Sequence, residues 1–203
     1  ERLSFSKELF PEVSIQSAEG ISALGQVIPG GPIYPKSNIM LSYMKIFSLA
    51  KEKLYVTNPY FIPSESIMNA LVQAGISGVD VRLLVPEKSD SAIVGAASRF
   101  YFTELLEAGV RIFLYKKGFV HAKTVVADTM LSVVGTANMD IRSFDLNFEI
   151  MPVIYGREFA KQLEGVYKDD LKECREITRE EWSKNGTVKR LTYAIASLIS
   201  SFL

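Results

Sequence analysis

The chain has 203 residues, with 23 Lys and Arg against 23 Asp and Glu, one Cys and one His, so its net charge is zero. Its 48% hydrophobic and 23% charged residues are typical of a globular protein with a substantial core, which excludes disorder and collagen-like repeats. One cysteine and one histidine exclude an intramolecular disulfide and a structural zinc site. The balanced charge argues against the broad positive surface of a general nucleic-acid-binding protein.

The chain opens at Glu1 rather than Met, so we expect it to be a piece of a longer protein. Its longest apolar runs are shorter than the roughly 18 to 20 residues of a membrane-spanning helix, and any targeting or membrane segment would lie in the preceding part. We interpret residues 1–24 as an entry segment or linker punctuated by Pro and Gly. A compact domain is expected from residue 25, with a short strand at 26–28.

Helical and strand patterns alternate from residue 38 to residue 115. Three helices, each followed by a strand, are predicted at 38–52 and 54–57, at 64–75 and 79–85, and at 91–108 and 110–115. A serine caps the second helix and Gly109 ends the third. Such a succession predicts an α/β fold with helices on both faces of a sheet.

Beyond residue 118 the pattern becomes richer in strands. Strands are predicted at 119–127, 131–135 and 147–155, with a tight turn at Asp128 and Thr129 that joins the first two as a hairpin. A long amphipathic helix at 157–174, a polar segment at 175–186 and a last helix from residue 188 complete the chain.

The last helix carries apolar residues on one face and two cations, Lys189 and Arg190, at its start. At about 16 residues it is too short to span a bilayer. Two roles remain open from the sequence: the helix lies on an anionic membrane surface, or it docks onto the domain or onto a partner copy.

The predicted strand 119–127 carries the only histidine of the chain. Because side chains on a strand alternate between faces, His121 and Lys123 are expected to share a face. An imidazole can attack phosphorus or transfer a proton, while an ammonium neutralises phosphate oxygens in the transition state. Taken alone, the pair is also compatible with a strand end whose polar residues simply face solvent.

The next segments supply further polar pairs. Thr136 and Asn138 are expected on one face, and Asn147 and Glu149 on one face of the following strand. Each unpartnered polar group would cost about 1 to 3 kcal/mol on burial. A convergent and mutually hydrogen-bonded site is therefore predicted.

These residues form a recognisable pattern. His121-x-Lys123, four residues and Asp128, and then Gly135-Thr136-x-Asn138 resemble the HxKx4D signature and the trailing G-[ST]-x-N of the phospholipase D superfamily. Four further segments resemble the C-terminal half of bacterial cardiolipin synthases, and they are 58–66, 78–86, 101–112 and 135–149. The similarity covers roughly residues 25–182.

The resemblance implies a phospholipase D-like α/β/α sandwich with a central mixed sheet flanked by helices. On this basis residues 25–175 are expected to be the second of two catalytic domains. Residues 176–203 would be a C-terminal extension that contains the amphipathic helix.

The resemblance also implies roles for individual residues. His121 would be either the nucleophile that forms a phosphohistidine or the acid that protonates the leaving alkoxide. Lys123 and Asn138 would hold non-bridging phosphate oxygens, with the Thr136 hydroxyl close by. Glu149 would accept a hydrogen bond from the other ring nitrogen of His121 and orient the ring.

Other candidate residues have two interpretations. Asp128 belongs to the catalytic motif, but its place at the turn suits a structural role, binding hairpin amides or a nearby cation. Tyr60 and Phe61 follow a strand end, where they either border the substrate entrance or pack in the core. Arg142 either meets a second phosphate or a glycerol head group, or pairs with a neighbouring aspartate.

The resemblance predicts a phosphatidyltransferase that acts without a metal ion or nucleotide. One histidine would attack phosphatidylglycerol and expel glycerol, and a second phosphatidylglycerol would displace the histidine to give cardiolipin. Superfamily members build one site from two HxK motifs, and this chain has one. The second would come from a missing N-terminal half or from a second copy of the chain.

The sequence disfavours two other functions. A dimeric, single-motif phosphodiesterase or nuclease is disfavoured by the neutral charge and the apolar last helix. A non-catalytic lipid-binding module would require a broken motif, and every motif position is present. The expected partners are therefore phosphatidylglycerol and a membrane surface rather than nucleic acid, on the cytoplasmic side of a bacterial cell membrane.

Overall fold

The computed structural model describes residues 23–200. In chain order its elements are β1 (Leu24–Gly30), α1 (Asn38–Leu49), β2 (Lys53–Thr57), β3 (Phe61–Ile62), α2 (Glu65–Ile76), β4 (Asp80–Pro86), α3 (Ala92–Phe100), α4 (Phe102–Glu107), β5 (Arg111–Tyr115), β6 (Thr124–Ala127), β7 (Leu131–Val134), β8 (Met139–Asp140), α5 (Ile141–Asp145), β9 (Glu149–Tyr155), α6 (Arg157–Lys172), β10 (Cys174–Ile177), α7 (Arg179–Ser183) and α8 (Thr187–Ser200).

Eight strands form one sheet in the order β1-β9-β7-β6-β2-β4-β5-β10. The pairs β2–β4 and β4–β5 are parallel, whereas the remaining neighbours in this sheet are antiparallel. The short strands β3 and β8 pair in parallel as a separate small sheet. The predicted α/β class with a mixed central sheet is thus confirmed.

Both faces of the sheet are covered, as the alternation of apolar side chains in β2 shows. Leu54 and Val56 point into the larger core, which α1, α2 and α4 cover, while Tyr55 points to the opposite face. There the Tyr55 ring stacks on Tyr167 of α6 with their centroids 5.0 Å apart. Two buried faces require apolar residues at successive positions of the central strands, which makes their sequences almost continuously hydrophobic.

Two elements differ from the sequence-based expectation. The helix predicted at 91–108 is divided into α3 and α4 at Tyr101, whose N–H bonds to the carbonyl of Ser98, in a tighter turn than the α-helical one. The polar segment 175–186 contains β10 and α7. β10 is an edge strand, and only one of its residues, Ile177, is deeply buried. An ion pair between Arg111 and Glu176 also joins it to β5. An edge strand of this kind does not need an apolar run, so its sequence does not show one.

The predicted hairpin is confirmed as β6 and β7, and its turn is anchored from outside. Asp128 and Thr129 both have positive φ, of 51° and 52°. The Asp128 carboxylate accepts hydrogen bonds from the backbone N–H groups of Lys51, Glu52 and Lys53 at 2.9, 2.8 and 3.0 Å. The hairpin end is therefore tied to the loop that leads into β2.

We predict that Asp128→Ala lowers the free energy of unfolding by about 2 kcal/mol. The substitution removes three charge-assisted hydrogen bonds and places Ala in a left-handed conformation. Urea denaturation measures the change. Asp169→Ala, which removes an exposed pair with Lys172, is the matched control and should change stability by less than about 0.5 kcal/mol. Equal effects of the two substitutions would contradict the anchoring role.

The same carboxylate should make stability depend on pH. Burial raises the pKa of Asp128, but the backbone amides of Lys53, Glu52 and Lys51 and the Lys53 charge outweigh it and leave the pKa below its usual value. A lowered folded-state pKa contributes stability above the unfolded value of about 4 and loses it as the pH falls through the folded value. The stability difference between wild type and Asp128→Asn should therefore shrink below about pH 4.

Candidate active site

Most of the predicted site residues lie at one end of the central strands, whereas Asp128 lies at the opposite end of β6. β6 begins at the end that carries most of them, at Thr124. Because β2 and β7 both pair with β6 in antiparallel register, these two strands end there, at Thr57 and Val134. β9 begins on the same side at Glu149. The segments 58–60, 119–123, 135–138 and 146–149 therefore meet at this end of the strands.

Asn58 connects two of these loops, although sequence reasoning did not single it out. Its side chain is fully buried, and Oδ1 accepts hydrogen bonds from the backbone N–H groups of Tyr60 at 3.3 Å and Met139 at 3.1 Å. Within residues 23–200, Nδ2 has no hydrogen-bond partner. A polar residue directly after a buried strand and before Pro59 was the signal that could have identified it.

His121 and Lys123 lie together, although not on a strand. β6 begins only at Thr124, so the expected alternation on one strand was wrong for this pair. The Lys123 ammonium is 2.9 Å from the His121 carbonyl oxygen and 3.1 and 3.0 Å from Nδ1 and Nε2 of the ring. The two ring nitrogens point in diverging directions and at most one of them carries a free lone pair, so the ammonium lies against the ring and does not bond to both nitrogens in the ring plane.

The two side chains differ in exposure. His121 is exposed, whereas Lys123 is only 7% exposed. Burial lowers the pKa of Lys123, while the charges of Glu149 and Asp140 act in the opposite direction. The arrangement presents an accessible imidazole beside a desolvated cation that nearby carboxylates help to keep protonated.

Tyr60 forms an aromatic wall beside the histidine. Its ring meets the His121 ring edge-on, with centroids 6.1 Å apart, and lies 5.6 Å from the Phe119 ring. Its hydroxyl donates a hydrogen bond to Asp90, and burial together with this contact raises the pKa of Tyr60 to about 12. Phe61 is fully buried in the core, so packing, and not contact with a substrate, is the role that the structure supports.

Thr136, Asn147 and Glu149 form a hydrogen-bonded cluster. The Thr136 hydroxyl donates to the Glu149 carboxylate and accepts the N–H of Ile150 at 2.9 Å, and Asn147 Nδ2 lies 3.4 Å from Glu149. Among the described residues, the hydrogen bonds of Glu149 go to these partners and not to His121. The loop approaches β9 closely at Gly135, where a Cβ would lie 3.1 Å from the Ile150 carbonyl oxygen.

A cleft of about 290 Å³ opens beside this cluster. Its lining includes Tyr60, Asn138, Arg142 and Asn147, together with Ser200 from the last turn of α8. Asn138 Oδ1 is buried and has no hydrogen-bond partner among residues 23–200. The cleft therefore combines an aromatic wall, amide groups and a guanidinium in a volume that suits a small polar head group.

Among residues 23–200, no group of three or more His, Cys, Asp and Glu side chains is placed to hold a metal ion. In the same range, no helix has both the length and the apolar character that crossing a bilayer requires.

Two solved structures share this fold. Nuc from Salmonella typhimurium, a phospholipase D family member, superposes with a TM-score of 0.65 at 20% identity, covering 76% of this chain and 99% of Nuc. Phosphatidylserine synthase from Haemophilus influenzae superposes with a TM-score of 0.65 at 17% identity, covering 88% of this chain and 45% of that protein. The chain therefore has a phospholipase D-like fold.

Sequence comparison narrows this class to one family. Residues 43–171 match the model of the phospholipase D-like domain of cardiolipin synthase, and the chain belongs to this family. A cardiolipin synthase of Clostridium perfringens strain 13 is 42% identical over 178 residues, and cardiolipin synthase 1 of Bacillus anthracis is 39% identical over 198 residues. The matches cover 88% and 98% of this chain but only 37% and 38% of those relatives. The resemblance inferred from the motif is confirmed.

We predict that Asn58→Ala loosens both loops that its side chain connects. The substitution leaves one buried and one partly buried N–H group without their acceptor and should lower the free energy of unfolding by about 3 kcal/mol. Hydrogen exchange read by NMR should show the Tyr60 and Met139 amides exchanging at least roughly tenfold faster under native conditions. Gln73→Ala, which removes an exposed amide side chain, is the control, and unchanged exchange at Tyr60 and Met139 in Asn58→Ala would refute the link.

Proposed function

We propose that this chain is the C-terminal half of a phosphatidyltransferase that makes cardiolipin from two molecules of phosphatidylglycerol. Membership of the cardiolipin synthase family supports this class of enzyme. The observation that carries the proposal is the exposed His121 ring lying against the buried Lys123 ammonium. It supplies a nucleophile or acid and a fixed cation where a phosphodiester can reach both.

In the first proposed step, a histidine nitrogen attacks the phosphorus of phosphatidylglycerol. The bond to the glycerol oxygen breaks, that oxygen takes a proton from the second histidine of the site, and a phosphatidyl-histidine forms. In the second step, a hydroxyl of another phosphatidylglycerol gives its proton to that second histidine, attacks phosphorus and displaces the first. His121 takes one of these two roles, and the phosphorus–nitrogen bond retains the transfer potential between the steps.

Lys123 would neutralise the non-bridging oxygens as they gain charge. Asn138 would donate its Nδ2–H groups to the same oxygens, because its side chain lines the cleft. The Thr136–Glu149 pair would stabilise the lysine charge, since Glu149 raises the pKa of Lys123 against the effect of burial. Arg142, on the lining of the cleft, would meet a second phosphate or a glycerol head group.

The proposed reaction uses two histidines, and this chain contains a single histidine in total. The chain spans little more than a third of the curated relatives it matches. We therefore propose that residues 25–175 are the second of two phospholipase D-like domains and that the preceding half, or a second copy, completes the site. The whole enzyme would work on the cytoplasmic surface of the bacterial membrane, with residues 176–203 as an extension.

A dimeric phosphodiesterase is the second candidate. It is favoured by the single histidine per chain. This chain also covers almost all of Nuc, a phospholipase D family member with the same fold. Acting on nucleic acid would require a strongly basic groove, and the neutral overall charge supplies no general attraction for it. The two candidates differ in substrate and can be separated directly.

We predict that His121→Ala reduces phosphatidylglycerol turnover by at least about 10³-fold and that Lys123→Ala reduces it by about 10²- to 10³-fold. Labelled phosphatidylglycerol and short DNA are offered to the 203-residue chain and to the full-length protein, and the products are separated by chromatography. Lys117→Ala, which removes an exposed partner of Glu173, is the matched control and should leave turnover unchanged.

Two results would contradict the proposal. DNA cleavage that His121→Ala abolishes, without any lipid turnover by either form of the protein, would establish the second candidate. A full-length protein that keeps its transferase activity after His121→Ala would remove this histidine from the reaction.

A further inference from the structure

Helix α8 is attached to the domain by one of its faces. Ala196 is buried, the Ser197 hydroxyl lies 3.4 Å from the Tyr101 hydroxyl, and the Tyr193 ring stacks on Trp182 with centroids 5.8 Å apart. These contacts hold the helix against α3 and α7. Of the roles that the sequence left open, docking onto the domain accounts for this face only.

The opposite face of α8 is aliphatic and exposed. At 100° per residue its members fall on one side of the helix. They are 46 to 81% exposed and we call them the α8 stripe: Val188, Leu191, Ile195, Leu198 and Ile199. A groove between α3 and α8, lined by Ile93, Ala96, Ile195 and Ile199 among others, extends this apolar surface. Such a continuous patch marks an interaction surface rather than ordinary scattered exposure.

The composition of α8 favours a lipid bilayer as the partner. The centres of protein interfaces are enriched in aromatic residues, Met and Arg, and the stripe contains none of these. No acidic residue occurs in α8, while Lys189 and Arg190 flank the stripe on its two sides. An aliphatic stripe between cations matches the layered structure of an anionic membrane surface, with acyl chains below and phosphates above.

The length of α8 fixes its orientation. Its 14 residues extend about 21 Å, which is less than the roughly 30 Å of a hydrocarbon core. A helix of this length with one apolar face lies in the plane of the interface.

The end of α8 also borders the candidate active site. Ser200, in the last described turn of α8, lines the same cleft as Asn138. The cleft further includes Ile141 and Leu146, which are 48 and 63% exposed. A helix embedded at the membrane surface would therefore place the cleft at the level of the lipid head groups.

We propose that the α8 stripe, together with the apolar residues of the cleft, is the surface by which this chain lies on an anionic bilayer. The inference deepens the proposed function, since it assigns the route by which a phospholipid reaches the cleft. The central part of the inference is that α8 contacts the membrane, and this contact depends on exposure and charge and not on catalysis.

Co-sedimentation with vesicles tests this surface. We expect Leu191→Gln combined with Leu198→Gln to weaken binding to vesicles of phosphatidylglycerol and phosphatidylcholine by at least about tenfold. Ile76→Gln, at a side chain that is 72% exposed at the end of α2, is the matched control and should bind as wild type does. Val188→Gln, at the most exposed position, gives a second and smaller reduction if the double variant fails to fold.

A charge variant tests the second component. Lys189→Gln combined with Arg190→Gln should weaken binding to the anionic vesicles and leave the weaker binding to pure phosphatidylcholine unchanged. High salt should reduce wild-type binding in the same way, because exposed charges are screened.

The outcomes separate this inference from the proposed function. His121→Ala should bind vesicles as wild type does, and stripe-dependent binding without any lipid turnover would overturn the proposed function alone. If the stripe variants bind vesicles as wild type does, the assignment of the stripe as the membrane-binding surface is wrong. Sedimentation velocity without vesicles tests whether a second copy of the chain binds the stripe instead. If the stripe variants abolish self-association but keep vesicle binding, the stripe is an interface between copies.

Discussion

The register of strand β6 is the constraint on which the site depends. The four residues between Lys123 and Asp128 form this strand, Thr124–Ala127. The spacing of the motif is therefore the length of one buried strand, with the candidate catalytic pair before it and a structural anchor after it. We call these its catalytic end and its structural end. At the structural end Asp128 binds three backbone amides, and at the other end the Gly135 N–H bonds to the Lys123 carbonyl at 3.0 Å. A shift of one residue would move the His121–Lys123 pair relative to the neighbouring loops and invert the buried faces of the strand.

The far end of the hairpin has a second electrostatic anchor. Glu164 of α6 is buried and accepts a hydrogen bond from the Thr129 hydroxyl at 2.7 Å, and it pairs with Lys53 and Lys168. Burial raises the pKa of Glu164, but these partners outweigh it and lower the pKa to about 2. A carboxylate held in its charged form on α6 therefore joins the helix layer to the same turn that Asp128 ties to β2. The two anchors connect the hairpin that carries the site both to the sheet and to the helix layer above it.

The parts of the fold with strong local patterns could be predicted from the sequence, and the parts that depend on tertiary contacts could not. The continuous apolar run of β4 and the tight turn at Asp128 and Thr129 follow from local chemistry. β10 escaped prediction because an edge strand can be polar, and the division of the helix at Tyr101 depends on packing. At the site, the motif identified His121 and Lys123. It could not reveal that Asn58 joins two loops, or that the hydrogen bonds of Glu149 go to Thr136, because neither relation is local in the chain.

The exposure of His121 bears on the proposed transfer reaction, because the described residues leave the ring open to water. A phosphatidyl-histidine on an exposed ring can be hydrolysed by water as readily as it can be captured by an alcohol, so transfer requires that water be excluded. In the proposed arrangement two surfaces supply this exclusion. The second half of the site would cover His121 from one side, and a bilayer against the α8 stripe would close the side of the cleft next to Ser200. The acceptor lipid would then arrive from the membrane side that is closed to bulk water. The apolar face that is proposed to hold the chain at the membrane would in this way favour transfer over hydrolysis.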